Sequence, residues 1–250
     1  MTHAIGQRAG KLDLSKKPPA GIPAFAPLYQ PGPYQYRDNR CVIVVADAAE
    51  DAIREVLPRE LEPLDGNLVV WCLFICPDVP NIGAHSFAMP CIPVKYGDFV
   101  GQYVPYLYTS TEESLTCYRE VQGWPARLGH VSIDEVQEGR VRASLFRNGR
   151  DLIKVTATVA GDKIKQMDFL PIILYKEIPS LDGASRDVGR LITTTSLFEN
   201  LDFQAGPGTF AFDDKSEDPV TRLAPLSVTQ VMYGTMDDLY PETFRILHQY

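Results

Sequence analysis

Residues 141–159 read VRASLFRNGRDLIKVTATV, and they constrain the fold more than any other part of the chain. Two runs of strand-forming residues flank Asn148-Gly149, a dipeptide suited to the left-handed backbone of a two-residue hairpin turn. In the second run, apolar side chains alternate with lysine and threonine, which indicates a strand with one buried and one exposed face. The segment therefore predicts an antiparallel β-hairpin within a chain built largely from sheets.

Four further segments have strand character, and helical periodicity is confined to two short ones. The strand candidates are residues 41–47 (CVIVVAD), 68–76, 85–94 and 99–108. The segment AEDAIREVLP predicts a short helix, and a second helix is predicted from a capping box formed by Ser110 and Glu113, with Leu115, Tyr118 and Val121 at helical spacing. Many strands with few short helices are typical of an antiparallel barrel or sandwich with helical additions.

The overall composition narrows the range of partners. The 250 residues are 45% hydrophobic, enough for a substantial core, and the formal net charge is −8. Because there is no run of lysine or arginine, neither a nucleic acid nor an anionic membrane is expected as a partner. The longest apolar run, residues 68–76, is about half the roughly 20 residues that a membrane-spanning helix requires.

The ends and the cysteines bear on domain organisation and location. Residues 1–32 are polar and rich in proline, which predicts an N-terminal arm followed by a single domain over residues 33–250. Five scattered cysteines, an odd number, give no disulfide framework, and the N-terminus has no apolar signal core. These features favour a reducing, cytoplasmic location.

Several segments taken together resemble the acetoacetate decarboxylase-like family. They are, in order, GPYQYRDNR, DAIREVLPRELEP, IPVKYGDFVGQY, REVQGWPARLG, KEIPSLDG and LAPLSVTQVMYGTMDDLYP. The resemblance extends from about residue 33 to the end of the chain. It implies an α+β, mainly β fold, a cone-shaped antiparallel β-barrel with a few short helices and a buried pocket, commonly assembled as a homo-oligomer.

The resemblance also implies a change at the reactive position. In the family, the turn after the second helix carries a lysine that forms a Schiff base with a ketone, beside a second lysine. Here the turn reads WPARLG, so Ala126 stands at the position of the nucleophilic lysine and Arg127 at that of its neighbour. Cys72 and Phe87 match the positions of two accompanying carboxylates. Alanine has no reactive atom and arginine is a poor amine nucleophile, so Schiff-base chemistry is not expected from this turn.

The candidate site follows from these matches. Arg40 and Arg127 are expected to polarise an oxygen or to hold a carboxylate, and His85 or Glu120 to move a proton. His85 lies two residues before Phe87 in a predicted strand, so both face the same side. Each of these residues also has a purely structural interpretation, as a surface ion pair or a hydrogen-bonded core residue. The expected substrate-binding residues are Cys72, Phe87, Tyr106, Trp124 and Ala126.

The leading hypothesis is a cofactor-independent lyase-type enzyme that acts on a small anionic or polyketide-like carbonyl compound by decarboxylation, dehydration or cyclisation, in a role within secondary metabolism. Its rival is a non-catalytic pseudoenzyme that binds an acidic metabolite, and a third option is a structural subunit of a larger oligomer. The histidines and cysteines lack metal-ligand spacing, and no phosphate-binding loop or serine nucleophile motif is present, so no metal or cofactor is expected.

Overall fold

A computed structural model describes Leu12, Ser15 and residues 21–64, 66–136 and 138–250. The hairpin forms as predicted. Its strands are Arg140–Arg147 and Arg150–Thr158, and Asn148 and Gly149 have φ angles of 51° and 78°, both left-handed. Along the second strand Ile153, Val155 and Ala157 are buried, and the residues between them are exposed. The alternation read from the sequence therefore corresponds to the two faces of this strand.

The described residues form fourteen strands, two α-helices, one π-helical turn and one 3-10 helix. The strands are β1 (Tyr34–Ala48), β2 (Glu62–Pro63), β3 (Leu68–Cys76), β4 (His85–Tyr96), β5 (Phe99–Tyr103), β6 (Leu107–Thr109), β7 (Ala126–Leu128), β8 (His130–Val136), β9 (Arg140–Arg147), β10 (Arg150–Thr158), β11 (Ile172–Pro179), β12 (Arg186–Gly206), β13 (Gly208–Phe212) and β14 (Pro225–Gln249). The helices are α1 (Glu50–Val56) and α2 (Glu112–Cys117), with the π-helical turn at Tyr118–Gln122 and the 3-10 helix at Pro219–Leu223.

The larger sheet closes on itself. Its strands pair in the order β3-β1-β14-β12-β11-β5-β4, and β4 pairs back with β3. All pairings in this ring are antiparallel except β11–β5, which is parallel. Strands β6 and β7 extend the sheet from β4, and a second sheet has the order β13-β10-β9-β8. The mainly β, largely antiparallel class is thus confirmed, and the cone shape stays a prediction.

Two hydrophobic cores lie on opposite faces of the ring wall. Along β1, Val42 and Val44 face one core, which is shared with the four-stranded sheet, whereas Cys41 and Ile43 face the other. Trp71 of β3 packs edge-on against Phe210 of β13 in the first core, at 5.4 Å between ring centroids. Strands β1, β3 and β4 are therefore buried on both faces, which explains why they read as near-continuous apolar runs. The second core lies on the inner face of the ring.

The segment 99–108 differs from the prediction because it forms two strands. Val104 and Pro105 interrupt it, since proline cannot donate to a strand ladder. The cap of α2 also lies one residue later than predicted. Thr111 caps the helix by accepting a hydrogen bond from the Ser114 amide at 3.2 Å, because the Ser110 hydroxyl instead accepts one from the Ser86 amide at 2.9 Å.

The described part of the proline-rich N-terminal segment lies on the body of the protein. Tyr29 is buried and its hydroxyl donates to Glu120 at 2.7 Å, while the Gln30 amide donates to the Asn81 carbonyl at 2.9 Å. The remainder of the predicted arm, residues 1–11, 13–14 and 16–20, lies outside the described residues. Within the described part of the chain, no helix combines the length and apolarity needed to cross a membrane.

Candidate active site

A cavity of about 80 Å³ lies within the second core, on the inner face of the ring. Because a cavity needs roughly 10–15 Å³ to hold one water molecule, this cavity has room for about six water-sized groups. Strands β1, β3, β4, β12 and β14 supply most of the wall, and the rest comes from the π-helical turn, Trp124, Phe169 and strands β5, β6 and β11. The lining residues are Tyr36, Asn39, Ile43, Cys72, Phe74, Phe87, Met89, Cys91, Gln102, Leu107, Tyr118, Gln122, Trp124, Phe169, Ile172, Ser196, Phe198, Met236, Asp238 and Tyr240.

Aromatic rings form much of the cavity wall. Phe74 and Phe87 stack with ring centroids 4.5 Å apart, and Phe87 meets Tyr118 edge-on at 6.2 Å. The Trp124 ring lies next to those of Tyr118 and Tyr240, with centroids 6.3 Å and 5.7 Å away. Such walls hold an apolar ligand body by burial and by ring contacts. Phe87 and Trp124 thus line the cavity, and their expected contact with a substrate stays a prediction.

A chain of hydrogen bonds runs from the cavity wall to a buried histidine. His85 Nδ1 lies 2.8 Å from the Gly83 carbonyl oxygen, which can only accept, so this nitrogen carries the proton. His85 Nε2 is then free to accept from the Tyr118 hydroxyl at 2.6 Å, and Tyr36 Oη lies 3.3 Å from Tyr118 Oη. Burial lowers the pKa of His85, which keeps the ring neutral near pH 7. The histidine is therefore held as a proton acceptor one hydrogen bond behind the cavity.

Asp238 is the acidic group of the cavity. Burial raises its pKa to about 7, and a hydrogen bond from Ser196 opposes this rise. One carboxyl oxygen, Oδ1, is buried and has no hydrogen-bond partner. Asp238 faces inward because it alternates with Met236 and Tyr240 along β14, and all three line the cavity. Among the described lining residues there is neither lysine nor arginine.

The thiols near the cavity are poorly suited to nucleophilic attack. Cys72 and Cys91 line the cavity from adjacent strands, and Cys41 and Cys76 belong to the same core. Desolvation by burial raises the pKa of the Cys41 and Cys76 thiols, and a hydrogen bond with Cys72 together with burial raises that of Cys91. Because the thiolate is the reactive form, this environment favours a packing role.

The turn at Ala126 lies beside the cavity without lining it. Gly123 has a φ of 80° and ends the π-helical turn, and Trp124 follows with its indole donating to Gln122 Oε1 at 2.8 Å. Ala126 is buried in the second core, and its carbonyl accepts from Arg119 at 3.2 Å. Its expected substrate contact is therefore replaced by contacts with neighbouring protein groups.

Three other candidates lie away from the cavity. Arg40 is exposed, because it alternates with the inward-facing Asn39 and Cys41 on β1. Arg127 faces outward on β7 and lines a surface groove with Arg147, Arg150 and Lys215. Glu120 accepts the hydrogen bond from Tyr29. The expected cationic end of the pocket is thus not formed by Arg40 and Arg127 in this chain.

Tyr106 belongs to the first core. Its hydroxyl donates to the Val220 carbonyl at 3.2 Å, and its ring lies 6.2 Å from that of Trp71. Pro105, which separates β5 from β6, gives this part of the chain a different orientation from the one expected of a continuous strand. His85, by contrast, lies on the same side of β4 as Phe87, with ring centroids 6.2 Å apart, in agreement with the period-2 argument.

Tyr36, Asn39, Tyr118 and Asp238 were missed as site residues by the sequence reasoning. Tyr118 was assigned only as part of a helix face. For Asp238 the segment Met236 to Tyr240 contained a signal, since one acid alternates there with apolar and aromatic residues. Which acid faced inward depended on the register of β14, because Asp237 precedes Asp238 directly.

Comparison with known proteins gives one family. A family model described as Acetoacetate decarboxylase (ADC) matches residues 17–250. An acetoacetate decarboxylase from Clostridium beijerinckii is 27% identical over 241 residues, which cover 91% of this chain and 94% of that protein. Acetoacetate decarboxylase 3 from Mesorhizobium japonicum is 30% identical over 173 residues, 66% of each chain.

Solved structures share the fold. The crystal structure of acetoacetate decarboxylase from Legionella pneumophila matches with a TM-score of 0.81 at 20% identity, covering 90% of this chain and 91% of that one. The enduracididine biosynthesis enzyme MppR, complexed with the condensation product of pyruvate and imidazole 4-carboxaldehyde, matches with a TM-score of 0.76 at 19% identity, covering 90% and 93%. These likenesses extend over nearly the whole ring of strands.

Proposed function

This chain belongs to the acetoacetate decarboxylase family, and from that premise we propose that it is a lyase-type enzyme that forms the enol or enolate of a small carbonyl compound in its cavity. The reaction proceeds without a Schiff base and without a cofactor. The observation that carries this proposal is the buried chain from Tyr36 through Tyr118 to His85, which ends at the wall of a cavity whose described lining contains no lysine.

Tyr118 and His85 act together as the proton acceptor. A C–H bond next to the substrate carbonyl breaks and its proton passes to Tyr118 Oη, while the hydroxyl proton of Tyr118 passes to His85 Nε2. The electron pair moves onto the carbonyl oxygen, giving an enolate that cavity donors such as the Tyr36 hydroxyl stabilise. The low pKa of His85 leaves it neutral and ready to accept at neutral pH.

The alanine at position 126 is one reason to propose a reaction without an imine. By resemblance it stands at the position of the family's nucleophilic lysine, and it is buried among protein groups. The Lys176 amine lies near this turn, where its Nζ donates to the Val121 carbonyl at 2.7 Å, and burial lowers its pKa. It does not line the cavity. Lys95 and Lys154 are exposed.

The test is exchange of the α-hydrogens of butanone with deuterium oxide, followed by proton NMR. Tyr118→Phe should slow protein-catalysed exchange by about 10²-fold or more, because the proton path is broken while the ring is retained. Tyr106→Phe is the matched control, since it removes a buried tyrosine hydroxyl bonded outside the cavity. Exchange that survives in Tyr118→Phe would exclude the proposed path.

Borohydride reduction separates this mechanism from a covalent one. The wild-type protein incubated with butanone and sodium borohydride should show no mass increase, and a stable adduct would overturn the proposal. Lys176→Met identifies whether any adduct forms at that amine. The rival function is that of a non-catalytic binding protein. It is favoured if a ligand raises the thermal stability of the protein but no exchange of its α-hydrogens is catalysed.

A further inference from the structure

Two hydrogen-bond acceptors in the cavity lack partners. Asp238 Oδ1 and Asn39 Oδ1 are both buried without a hydrogen bond, and Asn39 is only 1% exposed. Both residues line the cavity. A buried polar atom without a hydrogen-bond partner is destabilising, so two of them in one cavity call for a physical explanation.

Strand pairing brings these two residues to the same part of the wall. In the β1–β14 ladder Tyr36 is opposite Asp238, and Asn39 is opposite Met236. A bulge separates Tyr36 from Asn39, at Asp38, whose φ is 55°. Because residues two apart on a strand share a face, Asn39 and Asp238 are diagonal neighbours across the ladder. The bulge is what turns Asn39 inward and leaves the following Arg40 exposed.

We propose that Asp238 and Asn39 form an acceptor subsite for a hydroxyl group of the ligand, and that the substrate is an uncharged hydroxylated carbonyl compound. This inference rests on the proposed function, since it assigns the ligand of the same cavity. A hydroxyl group supplies the missing donor, and the aromatic wall holds the rest of the molecule. A carboxylate would meet Asp238 with no cation among the described lining residues, and a ligand ammonium would lose its hydration in an apolar cavity.

The experiment compares three small probes by isothermal titration calorimetry at pH 8, above the pKa of about 7 of Asp238, so that its carboxylate acts as an acceptor. They are 4-hydroxy-2-butanone, its methyl ether 4-methoxy-2-butanone, and acetoacetate. The wild-type protein should bind the hydroxyketone about tenfold more tightly than the ether, as expected of one well-made hydrogen bond to an ionisable group, and acetoacetate more weakly than the hydroxyketone. Equal binding of the alcohol and the ether, tighter binding of acetoacetate, or no binding of the hydroxyketone would overturn the subsite.

Substitutions of Asp238 test whether the preference for the hydroxyketone over the ether depends on this residue. Asp238→Leu has a similar shape and no acceptor, so the preference for the hydroxyketone over the ether should disappear. Asp238→Asn keeps one acceptor oxygen and should retain part of the preference for the hydroxyketone. This second variant keeps the test decisive if the leucine variant does not fold. Asp151→Asn is the matched control, because Asp151 is an exposed hairpin residue that pairs with Lys154 at 3.2 Å and does not line the cavity. A preference that persists in Asp238→Leu contradicts the inference.

The outcome is separable from that of the proposed function. If the hydroxyl preference depends on Asp238 but no α-hydrogen exchange occurs, the subsite stands and the enzymatic proposal fails. If exchange depends on Tyr118 but the alcohol and ether bind equally, the enzymatic proposal stands and the subsite is overturned.

Discussion

Asp238 is the residue whose ionisation should most affect the pH dependence of stability. Its pKa is about 7 in the folded chain against an ordinary value of 3.8, because burial disfavours the charge. Between these two values the folded state holds a proton that the unfolded state has released, so stability should fall as pH rises from about 4 to about 7 and change little above that. The expected loss is on the order of a few kcal/mol.

Urea unfolding at pH 5 and pH 8 measures this effect. Asp238→Leu should reduce the difference between the two pH values and should be more stable than the wild type at pH 8, because the buried charge is removed. The ionisable groups that interact with Asp238 are Tyr36, Tyr240, Cys41 and Cys76, and burial raises the pKa of each of them above this range. An unchanged pH dependence in the leucine variant would show that another group is responsible. Asp151→Asn again serves as the exposed control.

The π-helical turn before Trp124 is the element that positions this side of the cavity, and Gly123 allows it to end there. With φ at 80°, an added Cβ at Gly123 would lie 2.8 Å from the Lys176 Cβ. Gly123→Ala should therefore lower stability by about 1–2 kcal/mol and weaken ligand binding, because Trp124 must shift.

Gly149 in the hairpin turn provides the matched comparison. It has a similar φ of 78°, yet an added Cβ would meet nothing within 4 Å, and the turn lies far along the chain from any lining residue. Gly149→Ala should cost about 1 kcal/mol from the backbone alone and leave binding unchanged. Thermal unfolding and calorimetric binding of the hydroxyketone distinguish the two variants. Equal effects on binding would mean that the turn does not position Trp124.

Elements with a strong local signal were predictable from the sequence. The Asn148-Gly149 hairpin and the strand Leu68–Cys76 match the structure, because alternation and turn chemistry are local properties. The cap of α2 was misplaced by one residue because Ser110 is engaged by the Ser86 amide of a distant strand. Asp238 joins the site only when β14 pairs with β1, and no local pattern specifies that register.

At the scale of the whole molecule, the pairing between β5 and β11 is a short junction in the ring of strands, called the seam below. Strands β5 and β11 pair in parallel through Ile172 with Gln102 and Ile173 with Tyr103, whereas β12 and β14 pair along most of their length. Gln102 and Ile172 also line the cavity, so this seam forms part of its wall. A short parallel pairing opens more easily than a long antiparallel ladder, and local opening here would expose the cavity to solvent.

Hydrogen–deuterium exchange measured by mass spectrometry tests this expectation. Peptides covering β5 and the start of β11 should exchange faster than those covering β1 and the middle of β14. Binding of 4-hydroxy-2-butanone should selectively slow exchange in the β5 and β11 peptides, because a ligand in the cavity contacts the seam. Gly101→Ala should accelerate exchange at the seam, since its Cβ would lie 2.8 Å from the Pro171 carbonyl oxygen. Gly149→Ala, which meets no neighbouring atoms, should leave the seam unchanged. Protection equal to that of β1 and β14 would mean that ligands enter elsewhere, because the seam would then be as firmly closed as the rest of the ring.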